Sequence, residues 1–352
     1  MSIKKTSLAL LASAALTVSL SARDQIKIVG SSTVYPFSSS VAEEFGATTN
    51  FPTPVVESTG SGGGMKLFCA GNELNTPDIT NASRRIKATE FTMCQENGVT
   101  DITEAVIGYD GIAFAQSKIN APFNISKENL ALAVAKEVPS KDGKSLIENP
   151  YKKWSDIDAS LPNREIIVYG PPKSSGTRDA FEELVLQSVF KKMSVYTDLY
   201  AADKKANKKY KKYSILRTDG VYVESGENDN LIVQKLEKNK AAFGVFGFSF
   251  LEENDDKVQG STIDGISPTP ENISSSKYPV ARSLYFYIKN SHSKEVPAMD
   301  KYVDLFMSDK MIANDGILTE IGLIPLPEEA RKAITSNVSK KTKLTLADLA
   351  KD

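Results

Sequence analysis

Short apolar runs alternate along this chain with segments whose apolar residues recur at helical spacing. Residues Gln25 to Val29 read as a strand closing on Gly30. After Ser31, Ser32 and Thr33, residues Val34, Phe37, Val41 and Phe45 share one face of a helix, with Pro36 tolerated in its first turn. Thr53 to Glu57 repeats the scheme, with the turn Ser58 to Gly64 and a helix expected from near Met65, its apolar face carrying Leu67 and Phe68. Ile166 to Tyr169 repeats it again, followed by the turn Gly170 to Arg178 and an amphipathic helix carrying Phe181, Leu184, Val185 and Val189. This alternation predicts an α/β fold. Asn239 to Phe250, rich in phenylalanine between small residues, reads as a buried strand, and Trp154 as a packing anchor at a helix start.

The first 22 residues change the picture of the compartment. Lys4 and Lys5 precede an apolar stretch from Leu8 to Leu20, and Ser19, Ser21 and Ala22 supply small residues for cleavage. That pattern is a secretory leader, and the stretch falls short of the roughly 20 apolar residues a membrane-spanning helix needs. The expectation is a soluble, monomeric periplasmic protein released from its leader. In an oxidising compartment Cys69 and Cys94, the only two cysteines, would pair and contribute on the order of 3 kcal/mol through loop closure.

Composition removes whole classes of function. Lysine plus arginine (43) nearly balances aspartate plus glutamate (44), so no positive field exists to hold nucleic acid. One histidine, His292, and two cysteines leave too few soft ligands for a metal centre, and a Ser-His-Asp hydrolase would depend on that single imidazole. Neither a P-loop nor a Gly-x-Gly-x-x-Gly turn with its downstream acid occurs, so no nucleotide cofactor is expected. The lysines clustered between 201 and 212 read as a solvated helical face. What remains is the shared chemistry of the three turns. Each brings glycines that allow close approach, hydroxyls, and the free N–H groups of a helix start, which together suit an oxyanion. Ser83 and Arg84, in Asp78 to Ile86, add a guanidinium suited to phosphate or carboxylate.

Four segments in order, Gly30 to Pro36, Gly60 to Gly64, Asp78 to Arg84 and Ser175 to Phe181, resemble the phosphate-binding proteins of high-affinity phosphate ABC transporters. The resemblance covers about residues 25 to 330 and implies a two-lobed type II periplasmic binding protein fold with a central ligand cleft. Lobe one would comprise 23–113 and 281–352, and lobe two 114–280, joined by strands at Gly111 to Gln116 and Tyr278 to Ile288. Carried over motif by motif, it implies oxyanion contact for Ser32, Thr33, Ser61, Gly62, Ser83, Arg84, Ser175, Gly176, Thr177 and Arg178. Inorganic phosphate would be the ligand and a membrane permease the partner. One departure stands out: many family members carry an aspartate at the position of Ser83, where it accepts the ligand's proton. Asp110 is the first candidate to replace it and Asp229 the second. Another tetrahedral oxyanion, such as sulfate or a phosphonate, and an exported phosphate-ester hydrolase stay open at this point.

Overall fold

The computed structural model describes Arg23 and residues 25–173, 175–205, 215–226 and 228–350. The leader expected at 1–22 and most of the lysine-rich stretch lie outside them. Among the described residues no helix is long and apolar enough to cross a membrane.

The first half begins as the hydrophobic pattern implies. Strand β1 (Lys27–Gly30) leads into helix α1 (Tyr35–Thr48), whose Phe37, Val41 and Phe45 are buried. Strand β2 (Val55–Ser58) follows, then α2 (Ser61–Phe68), β3 (Ile79–Ala82) and α3 (Ala88–Glu96). Helix α2 starts a full turn earlier than Met65, the start read from the sequence. Gly60 takes φ 72°, a region natural to glycine, and this lets the chain turn straight into a helix at Ser61. The glycines that follow are poor helix formers, but Gly64 is buried where it packs closely against Gly30, which a side chain would prevent. Cys69, just past α2, is bonded to Cys94 in α3.

Strand β4 (Ile102–Ser117) is 16 residues long and belongs to both halves of the molecule. Beyond it come β5 (Val168–Gly170), α4 (Gly176–Phe181), β6 (Tyr222–Glu224), α5 (Asn230–Lys238), β7 (Phe243–Gly247), β8 (Val258–Gly260) and β9 (Ala281–Lys289). The nine strands run in the order β2-β1-β3-β9-β4-β7-β5-β6, with β8 also on β4. Pairing is parallel within β2-β1-β3 and within β7-β5-β6, and antiparallel wherever β4 or β9 takes part. Residues 102–111 of β4 pair with β9, and 112–116 pair with β7.

The cores follow that division. One cluster draws its buried residues from 112 to 280 and adds only Ile324; the other two lie between 26 and 107 and between 284 and 344. Trp154 is wholly buried among Phe114, Phe123 and Phe243, its ring centroid 5.1 Å from that of Phe243. The phenylalanine-rich segment is a strand only to Gly247; from Phe248 it continues as a short helix. The amphipathic helix after Ser175 also differs in detail. Its middle, Glu182–Gln187, is a π-helical turn between α4 and Ser188–Phe190. The extra residue rotates the buried face, so Leu186 and Phe190 are fully buried while Leu184 and Val189 are only half so.

Candidate functional site

Two adjoining cavities, of about 510 and 400 Å³, lie where the strand ends of the two halves meet. Ser32 and Thr33, in the turn between β1 and α1, line both. The larger cavity adds Asp110, Ser175, Gly176, Thr177 and Asp229; the smaller adds Ser61, Gly62, Ser83, Arg84 and Arg282.

The smaller cavity holds the densest set of donors. Ser61, in the first turn of α2, accepts the backbone N–H of Ser83 at 3.1 Å, and the two hydroxyls stand 3.2 Å apart. Arg282 reaches them from β9: its Nη1 donates to Ser83 Oγ at 3.0 Å and its Nη2 to Thr33 Oγ1. The guanidinium is only 6% exposed. Its register fixes it there, because Arg282 lies opposite Asp110 in the β9-β4 ladder, next to a bulge at Leu284/Tyr285. Bulges of this kind re-aim side chains. Arg282 Nε points to Asp110 Oδ2 at 3.4 Å, and Nη1 to Glu183 Oε2 at 3.2 Å. Burial pushes the Asp110 carboxyl above the usual aspartate range, against the opposing pull of Arg282, which makes it a stronger proton acceptor.

The second set of sequence candidates sits on the other side of Thr33. Gly176, at the start of α4, is pressed against the β1-α1 turn: a methyl there would stand 2.9 Å from Ser32 O and Thr33 Cα. Thr33 Oγ1 donates to Gly176 O at 3.3 Å, and Ser32 Oγ donates to Asp179 Oδ2 at 2.8 Å. Ser175 is the N-cap residue of α4, yet its hydroxyl makes no capping bond. The backbone N–H groups of Thr33 and Val34 are turned to Ser31 Oγ, at 3.2 and 3.4 Å.

Neither arginine singled out by the motifs occupies the centre. Arg84 lies at the edge of the smaller cavity in a two-pronged pair with Glu90, at 2.7 and 2.9 Å, which holds its pKa above the usual value. Arg178 lines neither cavity. It is buried behind the Gly170 to Thr177 turn, donating to Glu182 at 2.6 Å and to Pro171 O at 3.2 Å, 4.7 Å from the ring centre of Tyr222. Arg282, which the motifs missed, takes the central place. The available signal was an arginine inside the aromatic run Tyr278 to Ile288, on a strand expected to cross the cleft.

The remaining candidates have local duties. Asp229, also lining the larger cavity, precedes α5 and accepts from Gly247 N at 2.9 Å. His292 is buried away from the cleft, its Nδ1 2.7 Å from Asp78 and its Nε2 3.1 Å from Asn72 O, so it is a structural clamp rather than a base beside a serine. Among the described residues no group of His, Cys, Asp and Glu could hold a metal ion.

Two α/β halves sharing long strands, with hydroxyls around a buried arginine between them, define a solute-binding protein of the type II periplasmic kind. The comparisons agree: the model of the PBP superfamily domain matches residues 17–310, and the chain belongs to that superfamily. It is similar to Protein SphX of Synechococcus elongatus, 30% identical over 313 residues covering 87% of this chain and 79% of that one. It is also similar to the phosphate-binding protein PstS of Staphylococcus saprophyticus, 26% identical over 333 residues, 93% of this chain and 88% of that one. Among solved structures, a possible phosphate binding protein from Planctomyces limnophilus superposes with a TM-score of 0.72 at 26% identity, covering 91% of this chain and 99% of that one.

Proposed function

We propose that the chain captures inorganic phosphate between its two halves and delivers it to the membrane permease of an ABC transporter, binding without chemical change. The observation that carries this reading is the Arg282 guanidinium held among the hydroxyls of Thr33 and Ser83, with Ser61 alongside. The similarity to the phosphate-binding protein PstS and to the possible phosphate binding protein from Planctomyces limnophilus supports it.

In this reading lobe one is 23–113 with 281–352 and lobe two is 114–280. Thr33, Ser61, Ser83 and Arg282 donate from one side, Ser175, Gly176 and Thr177 from the other, and Asp110 accepts the proton of the bound phosphate. Charge-assisted hydrogen bonds of roughly 1.5 to 3 kcal/mol each would carry micromolar or tighter binding after the cost of ordering. The anion stabilises the form in which both sets reach it, and that form is what a permease reads. Export through the leader, residence in the periplasm as a monomer, and no dealings with nucleic acid belong to the same proposal.

The test is calorimetry on mature protein stripped of anion. Phosphate should bind at micromolar affinity or better, and Arg282→Lys should weaken it at least tenfold, since a point charge cannot span two hydroxyls as the planar fork does. Asp110→Asn should narrow the preference for phosphate over sulfate. Sulfate binding as tightly as phosphate in the unaltered protein would change the ligand to a fully ionised oxyanion.

A further inference from the structure

The oxyanion pocket contains one of the chain's own carboxylates on the group an anion would need. Nη1 of Arg282 serves Ser83 Oγ at 3.0 Å and Glu183 Oε2 at 3.2 Å, while Nη2 serves Thr33. An anion that accepts from Nη1 competes with the Glu183 carboxylate for that donor. The two acids on Arg282 differ in how readily they leave. Asp110 is 14% exposed and fixed opposite Arg282 by the strand register, whereas Glu183 is 45% exposed and can swing into water.

Glu183 also comes from the opposite half. It lies in the π-helical turn Glu182–Gln187, whose neighbouring residues Val185 and Leu186 belong to the core cluster of 112 to 280. Four residues earlier on the same helical segment, Asp179 accepts from Ser32 Oγ across the same gap. Two carboxylates from one segment thus hold a hydroxyl and the guanidinium of the anion pocket.

Resting on the phosphate reading above, we infer that Glu183 is a built-in competitor for the anion on Arg282. The anion binds by displacing it, and the apparent affinity is lowered by the fraction of molecules in which the Glu183 pair is made. Because the carboxylate is nearly half exposed, the pair is of modest strength, and its removal should tighten binding about fivefold.

The experiment is phosphate calorimetry on Glu183→Gln and Glu183→Ala, with the phosphate Kd expected to fall about fivefold in both. An unchanged Kd in both overturns the inference. A weaker Kd also overturns it and makes Glu183 a partner of the bound anion. A second measurement needs no ligand: a double-mutant cycle of Glu183→Gln and Arg282→Gln by urea unfolding in anion-free buffer. A non-zero coupling supports the pair, and zero coupling overturns it. If phosphate produces no heat in any of these proteins while the coupling is present, the phosphate reading fails, and the contact between Glu183 and Arg282 survives that result.

Discussion

At the scale of single residues, the hydroxyl positions were legible because each belongs to a local strand-to-helix turn whose chemistry is written in consecutive letters. Ser32, Thr33, Ser61 and Ser175 need only their neighbours to be recognised. Arg282 was not legible in that way, since its place depends on ladder register with Asp110, 172 positions earlier. Proximity in sequence also misled for Arg178, which follows Thr177 but points back under the turn. Its duty is to hold that turn through Pro171 O and to neutralise Glu182. Arg178→Gln should therefore lower stability by about 2 to 4 kcal/mol in urea unfolding, as expected when one partner of a buried charged network is removed. A full loss of phosphate binding at unchanged stability would return Arg178 to the pocket.

At the scale of elements, the strands and the faces of the helices were largely readable from periodicity, and their ends less so. Helix α2 reaches back to Ser61 because Gly60 adopts a conformation no propensity scale assigns to a helix start. The π turn is invisible to a 3.6-residue pattern, yet it decides that Leu186 rather than Leu184 is wholly buried. The start of α4 presses closely on the β1-α1 turn, so Gly176→Ala should push it away from Ser32 and Thr33. Phosphate affinity should fall about tenfold with a change in stability of less than about 1 kcal/mol, the displacement occurring at a partly exposed helix end. Calorimetry paired with thermal unfolding checks both, and equal affinity would mean that α4 does not press on Thr33 in solution.

At the scale of the whole molecule, the α/β class and the crossing strands follow from the sequence, while the division of the cleft into two cavities around Thr33 required the fold. Global stability carries a pH signature from buried groups. Lys289, wholly buried, donates to Gly71 O and Thr76 Oγ1, both at 2.7 Å, and burial pulls its pKa down from 10.5 to about 8. The unfolded chain keeps that proton to higher pH than the folded one. Between pH 8 and 10.5 the unfolded state therefore binds more protons, and stability rises with pH, with the full penalty present below pH 8. Burial pushes Tyr222, Tyr278 and Tyr302 up, which turns the curve downward once unfolded tyrosines ionise. Lys289→Met should flatten the rise by on the order of 3 kcal/mol, read as the difference between the two proteins' urea midpoints across this window. Parallel curves would mean that Lys289 is solvated in solution.

The position of β9 in the sheet has a consequence for how the chain is made. It is the last of the nine strands in sequence, yet its place is between β3 and β4, near the middle of the order. Until it arrives, both neighbours present an unpaired edge, and any closure of β3 directly onto β4 has to be undone. Arg282 travels on that same strand. On the proposed reading, a chain whose β9 is not yet seated lacks the guanidinium of its anion pocket, so occupancy of that pocket reports that the sheet is complete and the two halves have been joined correctly.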